Sequence, residues 1–497
     1  MSWDLRSSLV DAVRGTVITG PEELGRLGRD ESHLRGEALA AVQPADSQDV
    51  VDLVRWARRH RVGLVPRGAG TSLDGEAVTL GGGVVVDLSA WNTIADISVD
   101  RRSVRVGPGV VNGVLQTALR PFGLFYPPNP GSADSCTIGG NVGTNASGPR
   151  SFAYGSTRRW VREVEAVLGT GERVRLGSRA EKRSVGPELL HLFIGSEGTL
   201  GIATEIILRV APQPEFRLGW VVPLSEKAPL GPLAGTLART TGTGLSAIEF
   251  LDAFSAEGLR VGRGAAWRAE SPLLLLEIEA ADRMEVRTRG RRVHAALGKA
   301  GVHAEPVVFE DADRLWSLRG ENGRVLDERI GPRVREDVAV PLDRVDALVR
   351  ALHRIAESER VPLYLFGHLG EGSLHPNFAV DPSSPTAARI RAAVYAASLA
   401  LGGTISAEHG VGRLKRDFLE PEVGEAALRL LRAVRQACDP DGILNPGKLY
   451  PEPPAPAALP SPSPEGAEAE RARPASPSAA AARRPAARRA TPRTRAT

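Results

Sequence analysis

Four side chains dominate the chemical reading of this chain. They are His368 and His375 in His368-Leu-Gly-Glu-Gly-Ser-Leu-His375, and Glu408 and His409 in Glu408-His-Gly410. Imidazole and carboxylate groups are common ligands for divalent transition metals, and imidazole is also suited to moving a proton near neutral pH. His368 and His375 are seven apart, so on one straight strand they would face opposite sides. Gly370 and Gly372 lie between them and suit a turn. Such a turn folds two short strands back and lets both imidazoles converge. The flanks agree, because Val361-Pro-Leu-Tyr-Leu-Phe366 and His375-Pro-Asn-Phe-Ala-Val380 are apolar and β-prone. Glu408 and His409 are adjacent and are expected to point different ways, so that one can ligate a metal while the other faces a substrate. A lone histidine is usually a hydrogen-bonded core or surface residue. Three of only nine histidines set beside glycine-rich turns point to a site instead.

The elements that must position these groups begin far upstream. Asp46 or Ser47 can cap a helix whose apolar face is Val50, Leu53, Val54 and Ala57. A strand at Val62–Pro66 then runs into Arg67-Gly-Ala-Gly-Thr-Ser-Leu-Asp-Gly75. Backbone N–H groups in a loop of this composition can cradle phosphates. It lacks the Gly-Lys-Ser/Thr of a Walker loop. It also departs from the dinucleotide fingerprint, since Gly68 and Gly70 are followed only by Gly75 and a strand at Val84–Asp87. Alone, a plain tight turn explains it equally well. A strand at Val104–Val110 and a helix at Val111–Leu119 precede a loop-rich block, Pro127–Gly148, whose small polar residues suit backbone wrapped around a ligand. Strands are expected at Val161–Leu168, Arg173–Leu176 and Ile202–Val210, the last fed by a second small-residue loop, Gly195–Gly201. Leu218–Val222, Leu274–Ile278 and Val307–Phe309 read as strands among helices such as Arg287–Lys299 and Leu342–Glu357, and Ala427–Cys438 reads as a helix.

Composition bounds the rest. A chain of 497 residues holds about two to four domains. Met1–Ser8 is charged early and lacks the apolar core of a signal peptide. No run approaches the ~20 apolar residues of a membrane span. The expected location is therefore the cytoplasm, with a peripheral position on the inner face of the membrane as its variant. Cys136 and Cys438 are the only cysteines, which excludes a disulfide framework and a cysteine-ligated iron–sulfur cluster. The net charge of +4 belongs entirely to residues 451–497, which carry eight Arg and four Glu. Residues 1–450 are neutral and give no sign of nucleic-acid binding. The Pro-, Ala- and Arg-rich tail has too little apolar surface to fold alone and is expected to be disordered, with docking on an acidic partner or anionic lipid surface as the role its charge suits.

Six motifs follow one another: Pro66-Arg-Gly-Ala-Gly-Thr-Ser72, Thr137-Ile-Gly-Gly-Asn-Val-Gly-Thr-Asn145, Gly195-Ser-Glu-Gly-Thr-Leu-Gly-Ile202, the two-histidine motif, Glu408-His-Gly-Val-Gly412 and Asn445-Pro-Gly-Lys448. In that order, over about residues 40–450, the chain resembles the FAD-linked oxidases and dehydrogenases of the vanillyl-alcohol-oxidase superfamily. Within it, the chain is similar to the branch of cytochrome-type D-lactate dehydrogenase, glycolate oxidase large subunit and D-2-hydroxyglutarate dehydrogenase. The resemblance implies an α+β fold. A helical lead-in at 1–40 precedes a two-subdomain FAD-binding domain at 41–210, split near 100. An α+β substrate or cap domain at 211–425 follows, then a helical segment at 426–450 that returns to the flavin, and the tail at 451–497.

The same resemblance implies roles. Pro66, Arg67, Gly68, Ala69, Gly70, Thr71 and Ser72 hold the FAD pyrophosphate. Gly131, Thr137, Gly140, Asn141, Thr144, Asn145, Gly148, Tyr154 and Gly155 embrace the isoalloxazine. Glu197, Gly198, Gly201 and Ile202 lie on the ribityl and adenine side, and Asn445 comes from the returning segment. His368, His375 and Glu408 ligate a divalent metal; two imidazoles and a carboxylate suit Zn²⁺, with Mn²⁺ or Fe²⁺ open. His409 is left as general base. Arg319 and Arg335 grip the substrate carboxylate, since a planar guanidinium can donate two hydrogen bonds to it. Asn377 is a substrate-side hydrogen-bonder.

The implied activity is FAD-dependent oxidation of a D-2-hydroxy acid to the 2-keto acid, D-lactate first, with glycolate or D-2-hydroxyglutarate as alternatives. Two other readings are a flavin-dependent ether-lipid alkyl transferase and a non-catalytic flavin subunit of an oxidase complex; the second has no use for the histidines. Electrons must pass to an external acceptor, a cytochrome, a quinone or an electron-transfer flavoprotein. The chain departs from the branch where Gly370-Glu-Gly-Ser373 replaces Gly-Asp-Gly-Asn, where Ala407 replaces Gly, and where Arg159 replaces an acid. These departures bear on substrate identity and leave the metal set intact.

Overall fold

The computed structural model describes residues 2–264, 267 and 271–451; the expectations for the tail lie outside them. Two small sheets and one large antiparallel sheet carry the architecture. The first sheet orders its strands as Thr16–Ile18, Ala40–Gln43, Val84–Asp87 and Leu64–Arg67. Its last three strands run parallel, and Val84–Asp87 is buried throughout, as a central parallel strand covered on both faces must be. The helix Ser47–His60 supplies one cover. Asp46 caps it by accepting from the Asp49 N–H, and Val50, Leu53, Val54 and Ala57 face the sheet, as their spacing predicts. The lead-in is not wholly helical. Between helices Ser2–Ala12 and Pro21–Leu27, Thr16–Ile18 forms an antiparallel edge strand on Ala40–Gln43, because a short β-prone run gains more by completing a sheet edge than by extending a helix.

The second sheet is antiparallel and ordered Ile94–Ser98, Ser103–Val106, Ile202–Arg209, Val161–Val167, Arg173–Gly177. The chain passes between the two sheets at residues 88–93. A short helix, Ile138–Thr144, lies within the block read from sequence as loop. Its glycines disfavour helix. The Thr137 cap, which accepts from the Gly140 N–H, and burial of Ile138 and Val142 override that preference.

The large sheet orders Val307–Phe309, Phe216–Pro223, Leu273–Ala280, Leu245–Leu251, Leu363–Gly367, Ser373–Phe378 and Val334–Arg335, all antiparallel, with Val338–Ala339 also pairing Ser373–Phe378. Helices cover both faces, so its central strands read as continuous apolar runs. Leu274, Leu276 and Ile278 pack on helices Leu230–Arg239, Arg283–Lys299 and Val345–Glu359. Leu273 and Leu275 pack on Ala253–Arg263, Ala312–Gly320 and Asn322–Ile330. Near the chain end Leu444 bridges in parallel to Leu64, extending the first sheet by one more segment.

Candidate active site

One cavity of about 930 Å³ runs between the small-sheet half and the large sheet. One end is built from the loop at Pro66–Leu73, the segment at Asn129–Thr144 and the turn Ser196–Gly198. The loop and the Thr137 turn approach so closely that a Cβ on Gly68 would lie 2.1 Å from the Thr137 hydroxyl. On Gly131 or Gly143 a Cβ would meet nothing and would project into the cavity. At these two positions the wall is bare backbone, a cradle that side chains would fill.

The histidines line the same cavity. Leu363–Gly367 and Ser373–Phe378 form the expected hairpin, with Phe366 opposite His375. The turn requires glycine at Gly372, whose φ is +73° and whose Cβ would fall 2.0 Å from the Val340 carbonyl. That turn brings His368 and His375 to one side, with ring centroids 5.0 Å apart. The register pairing Phe250 with Gly367 sets Glu249 level with His368, and its Oε1 lies 2.5 Å from the imidazole Nδ1. Three imidazoles then converge on one oxygen. Glu408 Oε1 is 3.0 Å from His368 Nε2, 3.4 Å from His375 Nε2 and 3.7 Å from His409 Nε2, while Oε2 accepts from the Ser147 hydroxyl at 2.9 Å.

The expectation that Glu408 and His409 diverge is therefore wrong. It assumed an extended segment. The backbone instead winds around Asp337, whose Oδ2 accepts from the N–H groups of Ala407, Glu408 and His409 at 3.0, 2.7 and 2.9 Å. His409 keeps a separate character in its exposure: 20% of its side chain is accessible, against 7% for His368 and 6% for His375.

Electrostatics divide the cluster. Burial works against the charge on His368, but Glu249 and Glu408 outweigh it and raise its pKa well above 6.5. Burial and the neighbouring charge of His368 push His375 down to about 3, leaving it neutral with a lone pair to give. Glu408 is buried too, yet the imidazoles facing it hold its carboxyl well below the usual range. The donor set fits a divalent ion. Ligand bonds of about 2.0–2.1 Å in a tetrahedron place donor atoms about 3.3 Å apart, close to the spacings around Glu408 Oε1. His368, His375 and Glu408 offer donor atoms within 4.8 Å of one another, and Glu249 orients His368 from behind.

The guanidiniums differ from expectation in their partners. Arg319 lines the cavity, but its Nε and one Nη both donate to Glu249 Oε2 at 3.0 and 2.9 Å, and it lies over the Phe366 ring. Arg335 donates to Asp327 at 3.2 Å and lies 3.3 Å from the His33 ring, while its buried Nε has no partner. Asn377 is engaged at both ends, accepting from Arg333 Nε at 2.8 Å and donating to the His375 carbonyl at 2.8 Å.

Along the cavity, Pro66 through Ser72, Gly131, Thr137, Gly140, Asn141, Thr144, Glu197, Gly198 and Gly201 form wall. Asn145, Gly148, Tyr154, Gly155, Ile202 and Asn445 stand behind it. Asn145 accepts from Ser156 and from the Arg158 N–H; the Tyr154 hydroxyl donates to Glu279; Ile202 is core; Asn445 donates to the carbonyls of Glu76 and Glu197. Sequence reasoning missed Glu249 and Asp337. The first had a signal: a carboxylate inside the apolar run Leu245–Leu251 must be paired if that run is a buried strand.

Residues 38–177 match the FAD binding domain family, and residues 231–449 match the C-terminal domain of FAD linked oxidases. D-2-hydroxyglutarate dehydrogenase of Stutzerimonas stutzeri is 34% identical over 463 residues, 88% of this chain and 96% of that one. A glycolate oxidase subunit of Bacillus subtilis is 32% identical over 424 residues, 83% of this chain and 88% of that one. D-lactate dehydrogenase of Archaeoglobus fulgidus is 31% identical over 418 residues, 83% of this chain and 91% of that one. In fold, 4-ethylphenol oxidase from Gulosibacter chungangensis superposes with a TM-score of 0.75 at 18% identity, covering 90% of this chain and 97% of that one. The chain belongs to the FAD-linked oxidases. It is an oxidoreductase, and the glycine-walled end of the cavity suits the FAD its binding domain takes.

Proposed function

We propose that this enzyme oxidises a D-2-hydroxy acid to the 2-keto acid, D-lactate first and glycolate or D-2-hydroxyglutarate next. The observation that carries the reading is the convergence of three imidazoles and a carboxylate in a cavity that Arg319 and Arg335 also line. The names of the relatives support it. FAD, when bound, supplies a hydride acceptor. Everything else falls to the chain. His368, His375 and Glu408 would hold a divalent ion, Zn²⁺ by donor type, that polarises substrate oxygens. His409, the most accessible of the three imidazoles, takes the hydroxyl proton at Nε2. Arg335, with donors to spare, receives the substrate carboxylate. Arg319, committed to Glu249, holds that carboxylate in register with His368 and offers the cavity its remaining N–H groups. Electrons leave to an external cytochrome, quinone or electron-transfer flavoprotein. Among the described residues no helix is long and apolar enough to cross a membrane. The test is anaerobic mixing of the FAD-loaded protein with D-lactate, glycolate and D-2-hydroxyglutarate in turn. Bleaching of the flavin absorbance by at least one, and by D-lactate fastest, is expected; no bleaching by any of them overturns the reading.

A further inference from the structure

Asp337 is fully buried, and its hydrogen-bond donors come from the Ser406–His409 turn that carries Glu408 and His409. It lies between the short strands Val334–Arg335 and Val338–Ala339, in the register that sets it level with His375. Its two oxygens do different things. Oδ2 accepts three consecutive backbone N–H groups, those of Ala407, Glu408 and His409, together with the Ser406 hydroxyl at 3.3 Å. Ser406 in turn accepts from the Gly410 N–H at 3.0 Å and from Lys415 Nζ at 3.3 Å, so the turn is wound around a single carboxylate oxygen. Oδ1 is buried and has no hydrogen-bond partner. It faces His375 Nδ1 across 3.5 Å, and that nitrogen is also buried without a partner. Two orphaned buried polar atoms aimed at each other are costly unless a proton joins them.

We propose that Asp337 is the positioning residue of the site, acting at two points through its two oxygens. Oδ2 shapes the turn that turns Glu408 and His409 onto the same locus. Oδ1 holds the proton of His375 on Nδ1, which leaves the Nε2 lone pair aimed at the cluster. Oδ1 and Nδ1 close to a hydrogen bond when Nε2 is engaged, as the outer partner of a ligating imidazole does. The chain thus uses two carboxylates for two imidazoles, Glu249 behind His368 and Asp337 behind His375. The second potential donor group in this region, Asp337 with His375 and His409, shares His375 with the first; with Oδ2 filled by four donors and Oδ1 turned to His375 Nδ1, Asp337 is its outer layer and not a site of its own. The metal half of this inference rests on the proposed function; the tautomer half does not.

The test uses the FAD-loaded full chain and its Asp337→Asn variant. An amide can still accept from the turn through its oxygen, but its NH₂ then faces His375 Nδ1 and drives the proton to Nε2. Each protein is stripped by a chelator and titrated with Zn²⁺ against a competing chelator. The variant should bind Zn²⁺ about 10–100-fold more weakly, the usual effect of losing such a partner, with FAD content unchanged. In parallel, ¹⁵N-histidine NMR of the parent, assigned with His375→Asn, should show His375 protonated on Nδ1. Equal Zn²⁺ affinity in parent and variant, or a proton on Nε2 in the metal-loaded parent, overturns the proposal. If the parent takes up no divalent ion, the metal assignment falls, and the NMR tautomer alone decides the role of Asp337. The same spectrum decides it if Asp337→Asn does not fold.

Discussion

At the scale of residues, the site is an arrangement of imidazoles around one carboxylate oxygen, and the roles within it separate by access. His368 and His375 are enclosed, whereas His409 opens on the cavity. On the proposed roles, replacing His368, His375 or Glu408 by Ala should lower both bound metal and activity. His409→Ala should keep the metal and still slow flavin reduction about 10²–10⁴-fold, the usual contribution of a general base. Metal content by mass spectrometry and stopped-flow flavin reduction check the four variants together. If His409→Ala loses the ion while Glu408→Ala keeps it, their roles are exchanged. Arg335→Ala should raise KM and lower kcat/KM with the flavin spectrum intact, because a charge-assisted contact is worth about 1.5–3 kcal/mol, or roughly ten- to 150-fold. Steady-state kinetics decide it, and unchanged constants place Arg335 outside the site. The histidines and Glu408 were legible because few residue types can do this chemistry and they stood beside glycine turns. Glu249 lies 119 residues before His368, and only strand register joins them, which no local pattern encodes. Asp337 was in view within Val334-Arg-Glu-Asp-Val338, but nothing local says that its oxygen organises a turn seventy residues on.

At the scale of elements, the segment around Arg150–Tyr154 is bolted to the large sheet by acids embedded in an apolar strand. Arg150 and Arg217 pair with Glu277 at 3.0 and 2.6 Å, Ser246 and Trp316 also donate to it, and Ser151 donates to Glu371. Burial alone would push the Glu277 carboxyl up, but Arg150 and Arg217 outweigh it and hold the group at about 2. A depressed carboxylate stabilises the fold in full above its ordinary pKa of 4.5, and that contribution is lost as pH falls through its folded pKa. Thermal midpoints should thus drop between pH 4.5 and 2, and Glu277→Gln should flatten that part of the profile. At neutral pH the same change leaves two buried guanidiniums short of a partner, at a cost of about 3–5 kcal/mol. A midpoint within a degree of the parent would show that Asp313, which also meets Arg217 at 2.7 Å, suffices. The hairpin could be read because apolar alternation and glycines agree with its geometry. The helix Ile138–Thr144 could not, since its cap and its burial outvote a glycine-rich composition.

At the scale of the whole molecule, the composition of residues 451–497 and the packing of what precedes them meet at one boundary. Tyr450 is buried against Leu419 and Leu428, Arg435 lies over its ring, and Arg432 donates to the Pro451 carbonyl at 2.9 Å. Truncation after Pro451 should leave flavin content and turnover with a soluble dye acceptor unchanged, whereas truncation before Tyr450 should lower the thermal midpoint. Loss of flavin on the first truncation would show that the tail packs. The division of the chain was implied by the family resemblance and not by the order of strands and helices alone, and the bridge from Leu444 back to Leu64 joins residues that only the finished fold makes neighbours. That bridge sets an order of assembly during synthesis. The Leu64 amide donates to the Ile443 carbonyl, and the Asn445 amide donates back to the Leu64 carbonyl. At about 5–20 residues per second a ribosome that has made residue 64 needs roughly 20–80 s more to make residue 445. Throughout that interval the nascent first sheet has an open edge, while the strands of the large sheet emerge complete. Until residue 445 has emerged, the Leu64 amide and carbonyl lack these partners, so the sheet that leads into the first glycine-rich loop completes this edge only late in synthesis.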